Sequence, residues 1–143
     1  MSPAPLLNHQ EVLLTLGSAI SNYVKKKKIG KVYISPVDVF FDDKNAYQPD
    51  IVFVSTKKEF LLQPDGIYGA PDLVIEVLSP GTRQFDLKKK KNVYEKSGVQ
   101  EYWVVDPFTH LCTCFTLTNG KYKELSEQKA QITSPLLKHT FTL

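Results

Sequence analysis

The chain has 143 residues, of which 42% are hydrophobic and 23% charged, the balance of a folded domain with its own core. No apolar run approaches the roughly 20 residues that span a bilayer, and the first seven residues lack the basic and long apolar regions of a signal peptide, so a cytoplasmic protein is expected. The net charge of +3 permits a polyanionic partner without demanding one.

From Asn8 onward, Val12, Leu13, Leu16, Ala19, Ile20, Tyr23 and Val24 recur at helical spacing. Asn8 reads as the N-cap, with Glu11 completing a capping-box-like pair. Lys25, Lys26, Lys27 and Lys28 complement the dipole at the other end, ahead of Gly30. One strand is expected over residues 31–41, then a turn at Asp42-Asp43-Lys44-Asn45. A second, apolar strand follows over 51–54, with Asp50 at its entrance. Residues 56–68 read as a loop turning at Pro64-Asp65-Gly66. A central strand over 72–78 precedes a helix over 86–97, started by Asp86 as N-cap and closed by Gly98. Another strand runs over 101–106, and two more over 110–117 and 121–126 form a C-terminal β-hairpin around Asn119-Gly120. Cys112 and Cys114 read as neighbours on one strand face, a spacing that suits buried thiols better than a zinc knuckle or a disulfide. This order describes a single α/β domain, residues 1–143, with a mixed sheet flanked by helices.

The central strand, Asp72-Leu73-Val74-Ile75-Glu76-Val77-Leu78, is apolar at nearly every position, which implies cover on both faces. Glu76 is the exception. A buried unpaired carboxylate costs several kcal/mol, so it needs a proton, a cation or an ion-pair partner. Asp72 shares its face but lies roughly 13 Å away at about 3.3 Å per residue, too far to share an ion. Asp50 opens the preceding strand, and two carboxylates on adjacent strands can converge on one hard divalent cation. At about 100° per residue, Lys90 is the one lysine of the run Lys88, Lys89, Lys90, Lys91 that falls inside the apolar arc of its helix. Its ammonium can therefore reach Glu76 while its stem packs. The plain alternatives are a turn cap at Asp50, a structural ion pair at Glu76 and a solvated lysine face. His9, His110 and His139 are scattered, with no metal-ligand spacing.

Gln48-Pro49-Asp50, the run from Gly69 through Glu76 to Arg83, the Asp86, Lys90, Tyr94 spacing and the run from Gly98 to Pro107 resemble the Uma family of endonucleases. The resemblance covers about residues 8–137 and implies a restriction-endonuclease-like core of the PD-(D/E)XK superfamily. It implies a Mg²⁺- or Mn²⁺-dependent endonuclease acting on DNA, with Asp50, Glu76 and Lys90 catalytic. Asp50, Glu76 and the Val77 carbonyl would bind metal, and Asp72 would be a supporting acid. Arg83, Lys88 and Lys89 would contact nucleic acid. The superfamily lysine usually lies two residues after the second acid; that position is Leu78 here, so Lys90 would take its role. Cutting both strands of a duplex would favour a homodimer. The alternative is a catalytically inactive nuclease-fold module that binds nucleic acid or protein.

Overall fold

The computed structural model describes residues 6–81 and 84–143. An amphipathic helix, α1 (Leu7–Lys27), leads the chain and buries Val12, Leu16, Ile20 and Val24, spaced four apart, in the core on one face of the main sheet. The capping box expected at Asn8 is not formed. Leu6 takes the extended N-cap position without a side-chain bond, and Asn8 lies inside the helix. The first turn is held instead by His9, which is buried and bonded to a distant strand. That tertiary contact outweighs the local cap signal.

The strands follow in chain order as β1 (Gly30–Ile34), β2 (Val39–Phe40), β3 (Ala46–Tyr47), β4 (Ile51–Ser55), β5 (Leu62–Gln63), β6 (Gly66–Tyr68) and β7 (Leu73–Val77). Helix α2 (Gln84–Ser97) then leads to β8 (Glu101–Val105), β9 (Leu111–Thr118), β10 (Lys121–Glu124), β11 (Gln128–Lys129), β12 (Gln131–Ser134) and β13 (His139–Thr142). The main sheet is ordered β1-β4-β7-β8-β9-β10, with β11 beside β9. Only β7 and β8 in it are parallel, and α2 is the crossover that such a pair requires.

The single strand expected over 31–41 is divided. Pro36 has no N–H to offer a ladder, so β1 stops at Ile34, and the chain re-forms as β2 in a second sheet ordered β3-β2-β6-β5. The loop expected over 56–68 supplies a 3-10 turn, Thr56–Leu61, and two strands of that second sheet around Pro64-Asp65. The hairpin at Asn119-Gly120 is present; both residues take positive φ, 52° and 77°, as a type I′ turn demands.

The period of two divides the central strands between two cores. Ile51, Phe53, Leu73, Ile75 and Val77 meet α1, together with Ile132 of β12 and Phe141 of β13. Val52, Val54 and Val74 face the opposite core with Tyr94, Tyr102, Val39 and Ile67. The closing β12–β13 hairpin was not apparent in the sequence. It is anchored by Glu101, fully buried, which accepts from Trp103 Nε1 (2.8 Å), Ser134 Oγ (2.6 Å) and the Leu136 N–H (2.8 Å). Cys112 and Cys114 are free and buried on β9, as their spacing suggests. Among the described residues, no helix is long and apolar enough to cross a membrane.

Candidate active site

Strands β4 and β7 pair antiparallel with Ile51 opposite Ile75. Continuing that register by one residue puts Asp50 opposite Glu76, at the C-terminal end of β7. Pro49 is buried and the Asp50 carbonyl accepts from Ser35 N–H at 2.9 Å, so the backbone delivering Asp50 is fixed. Its Oδ2 accepts from Val77 N–H at 2.7 Å. His9 reaches this point from the first turn of α1. Its Nε2 is 3.1 Å from the Val77 carbonyl oxygen and 3.6 Å from Asp50 Oδ1.

Glu76 is 6% exposed and receives two groups from α2. Tyr94 OH donates to Oε1 at 2.7 Å, and Lys90 Nζ lies 3.8 Å from Oε2. Tyr94 follows Lys90 by four residues, so both fall on one helix face. The lysine stem runs beside Tyr47, whose ring centroid is 5.8 Å from Nζ. Lys91 turns the other way, with Nζ 4.0 Å from the Phe115 ring centroid.

The electrostatics show what this cluster lacks. Burial pushes the Glu76 carboxyl up from 4.5 to about 7; Lys90 pulls it down and Asp50 pushes it up further. Asp50 is also raised by burial, against the pull of the Val77 N–H, His9 and Lys90. Burial and the adjacent Glu76 drive the Tyr94 phenol well above its ordinary range, so it stays a donor. Two carboxylates resist ionising together because one ammonium does not offset both. The donor set fits a hard divalent cation that keeps several waters: two carboxylates and a peptide carbonyl, all oxygen donors. Among the described residues, no three histidine, cysteine or carboxylate side chains enclose a cation by themselves. Mg²⁺ characteristically takes one or two carboxylates and completes its shell with water.

A family model, Uma2, described as "Putative restriction endonuclease", matches residues 1–143. The chain belongs to the Uma2 family. Among solved structures it is similar to a "putative nuclease belonging to DUF820" from Anabaena variabilis, with a TM-score of 0.77 and 23% identity over 96% of this chain and 78% of that one. That likeness establishes the fold, and the mixed α/β architecture expected from sequence is the one found. No curated protein matches the chain.

In this Uma2 chain the structure gathers Asp50, Glu76, Val77 and Lys90, and separates Asp72 from them. Asp72 sits at the opposite end of β7, where its Oδ2 accepts from Ser55 N–H at 2.6 Å and ties down the end of β4. Lys88 and Lys89 are exposed. Lys89 lines a groove of about 340 Å³ with Tyr47, Ser79, Gly81, Asp86 and Lys90, whereas Lys88 does not. Asp86 lies in the first turn of α2 rather than at its N-cap, because the helix starts two residues earlier, at Gln84. Arg83 lies outside the described residues. Two members of the site were missed from sequence. Tyr94 was legible as a core residue, and its spacing from Lys90 was the signal that its hydroxyl would meet the same carboxylate. His9 carried no local signal, since its partner is 68 residues away.

Proposed function

We propose that this protein is a Mg²⁺- or Mn²⁺-dependent endonuclease that hydrolyses phosphodiester bonds of DNA. The observation that carries this reading is the meeting of Asp50, Glu76 and Lys90 in one cluster around the buried Glu76 carboxyl at the end of β7. Asp50, Glu76 and the Val77 carbonyl are the groups that would hold the cation, with water completing its shell. When bound, such a cation supplies Lewis acidity to the phosphoryl oxygen and lowers the pKa of a water ligand.

The chain's own groups do the rest. Lys90 is the only ammonium within 4 Å of Glu76 among the described residues, so it is placed to hold an attacking water and to offset charge that grows on the phosphoryl oxygens. Tyr94 occupies Oε1 of Glu76, which directs Oε2 toward Lys90. Asp50 is oriented by the Val77 N–H, so the carboxylate does not rotate freely. The groove lined by Lys89 and Lys90 is where a scissile phosphate would approach the Lys90 ammonium.

The test is nicking of supercoiled plasmid with Mn²⁺ by wild type, Glu76→Ala and Lys90→Ala, together with the Mn²⁺-induced shift in melting temperature. The reading requires cleavage by wild type alone and a Mn²⁺ shift that Glu76→Ala removes. Absence of both in the wild type would leave the inactive nuclease-fold module, with Glu76 and Lys90 a structural pair. Equal cleavage by all three proteins would reject this site.

A further inference from the structure

The charge of the domain is uneven along its length. At the candidate site acids and bases are mixed: Asp42 and Asp86 both act on Tyr47, which walls the groove with Lys89 and Lys90, and Lys90 pairs with Glu76. At the far end of the sheet lysine prevails. Helix α1 ends in Lys25, Lys26 and Lys27; Lys28 caps it with φ 57°, and Lys31 follows on β1. The chain next to them is the end of β4, since Gly30 pairs with Ser55 and Thr56 N–H donates to the Ile29 carbonyl at 3.0 Å. That junction brings Lys57 to the same corner. All six lysines are exposed, and none forms an ion pair among the described residues. The acids of these segments are outnumbered: Glu59 is a single exposed charge, and the Asp72 carboxylate is tied to the Ser55 N–H.

We propose that this corner, Lys25, Lys26, Lys27, Lys28, Lys31 and Lys57, is the surface that grips the nucleic-acid backbone, remote from the residues that would cut it. The choice of nucleic acid over another polyanion rests on the nuclease reading of the site. From His9 to Lys25 the helix advances 16 residues, about 24 Å at about 1.5 Å per residue, the length of roughly seven base pairs. A duplex running along the α1 side therefore meets the lysines at one end and, at the other, the sheet end where His9 lies beside Asp50; the groove with Lys89 and Lys90 opens on the opposite, α2 face. The division has a physical reason. A cluster whose carboxylates await a cation repels phosphate until that cation arrives, so attraction has to come from elsewhere. Lysines suit this task because each is a mobile point charge that neutralises a phosphate without reading a base.

The experiment is fluorescence anisotropy of a short labelled duplex in EDTA, at stepped KCl concentrations, which separates binding from cleavage. The variant is Lys25→Gln/Lys26→Gln/Lys31→Gln/Lys57→Gln, all exposed positions away from the helix cap and from Lys27, which lies over Tyr23. With melting unchanged, its slope of log K against log salt should be shallower by about 3 to 4, at about 0.9 for each phosphate no longer neutralised. An unchanged slope overturns the proposal. So does a shallower slope in Lys88→Gln/Lys89→Gln instead, which would put the grip at the site. Wild-type protein that binds anionic phosphatidylserine vesicles more tightly than the duplex also overturns it, as the partner would then be a membrane surface. A wild type that binds with the expected slope yet never cleaves defeats the nuclease reading and leaves the surface standing.

Discussion

Replacing Glu76 with glutamine should stabilise this protein at alkaline pH and do nothing for it in mild acid. The glutamine side chain keeps the size of the original and an oxygen for the Tyr94 hydroxyl, and removes the buried charge. Burial first, and Asp50 third after the opposing Lys90, set the Glu76 carboxyl at about 7 against an ordinary 4.5. At about 1.4 kcal/mol per pH unit, that displacement costs the ionised folded state about 3 kcal/mol. Above pH 7 the carboxyl is ionised in both folded and unfolded chains, and the full cost is present. As pH falls from 7 toward 4.5 the folded state takes up its proton first, and the cost disappears. Lys90, 29% exposed, can turn its ammonium to water when the charge opposite is gone. Urea unfolding at pH 8 should therefore show Glu76→Gln more stable by up to about 3 kcal/mol, or roughly 10 °C in Tm. The advantage should close to within about 0.5 kcal/mol near pH 4.5. Mn²⁺ should narrow the gap from the other side, stabilising wild type by about 2.7 kcal/mol at a hundred times its Kd and leaving the variant unmoved. A variant no more stable than wild type at pH 8, or equally advantaged at both pH values, would refute the reasoning.

Three further outcomes follow from the same contacts. Tyr94→Phe removes a hydrogen bond to an ionised group and should cost about 2 kcal/mol at pH 8. Because that bond lowers the Glu76 pKa, its loss should also move the carboxyl further up in a ¹³C NMR titration; a midpoint that stays or falls counts against the bond. Asp72→Ala strands the Ser55 N–H and should cost about 1 to 3 kcal/mol in urea unfolding, while the Mn²⁺ shift persists; loss of that shift would move Asp72 into the metal site. Burial pushes the Cys112 thiol up to about 11 and raises Cys114 as well. At pH 8 the native thiols should alkylate at least about 100-fold more slowly than in urea, and comparable rates in both conditions would show the β9 face to be open.

What was legible in the sequence was whatever depends on neighbours in sequence. Five apolar positions in the central strand announced double cover, and Glu76 stood out against them. The helical period singled out Lys90, and the structure puts its ammonium at the carboxylate. Asn119-Gly120 specified its hairpin because few other residue pairs take positive φ twice in succession. The break of the first strand at Ser35-Pro36 was readable in principle from the missing proline N–H. What was not legible depends on partners distant in sequence. His9 enters the site only because α1 packs across β7. The final hairpin forms where it does because Glu101, on β8, collects Ser134 and Leu136.

Asp72 and Glu76 show why spacing alone cannot separate a structural acid from a functional one. They stand four residues apart and by the period of two share a face, yet their surroundings answer different needs. Asp72 meets a backbone N–H that would otherwise go unpaired at the end of β4, so carboxylate and amide satisfy each other. Glu76 meets a phenol, an ammonium and a second carboxylate, and that company still leaves its proton held to about pH 7. A side chain placed only for stability would do better as glutamine, which keeps the Tyr94 contact without the charge. The fold carries an ionisable group where ionisation costs it stability, and a cation bound between Glu76 and Asp50 is what would turn that cost into affinity.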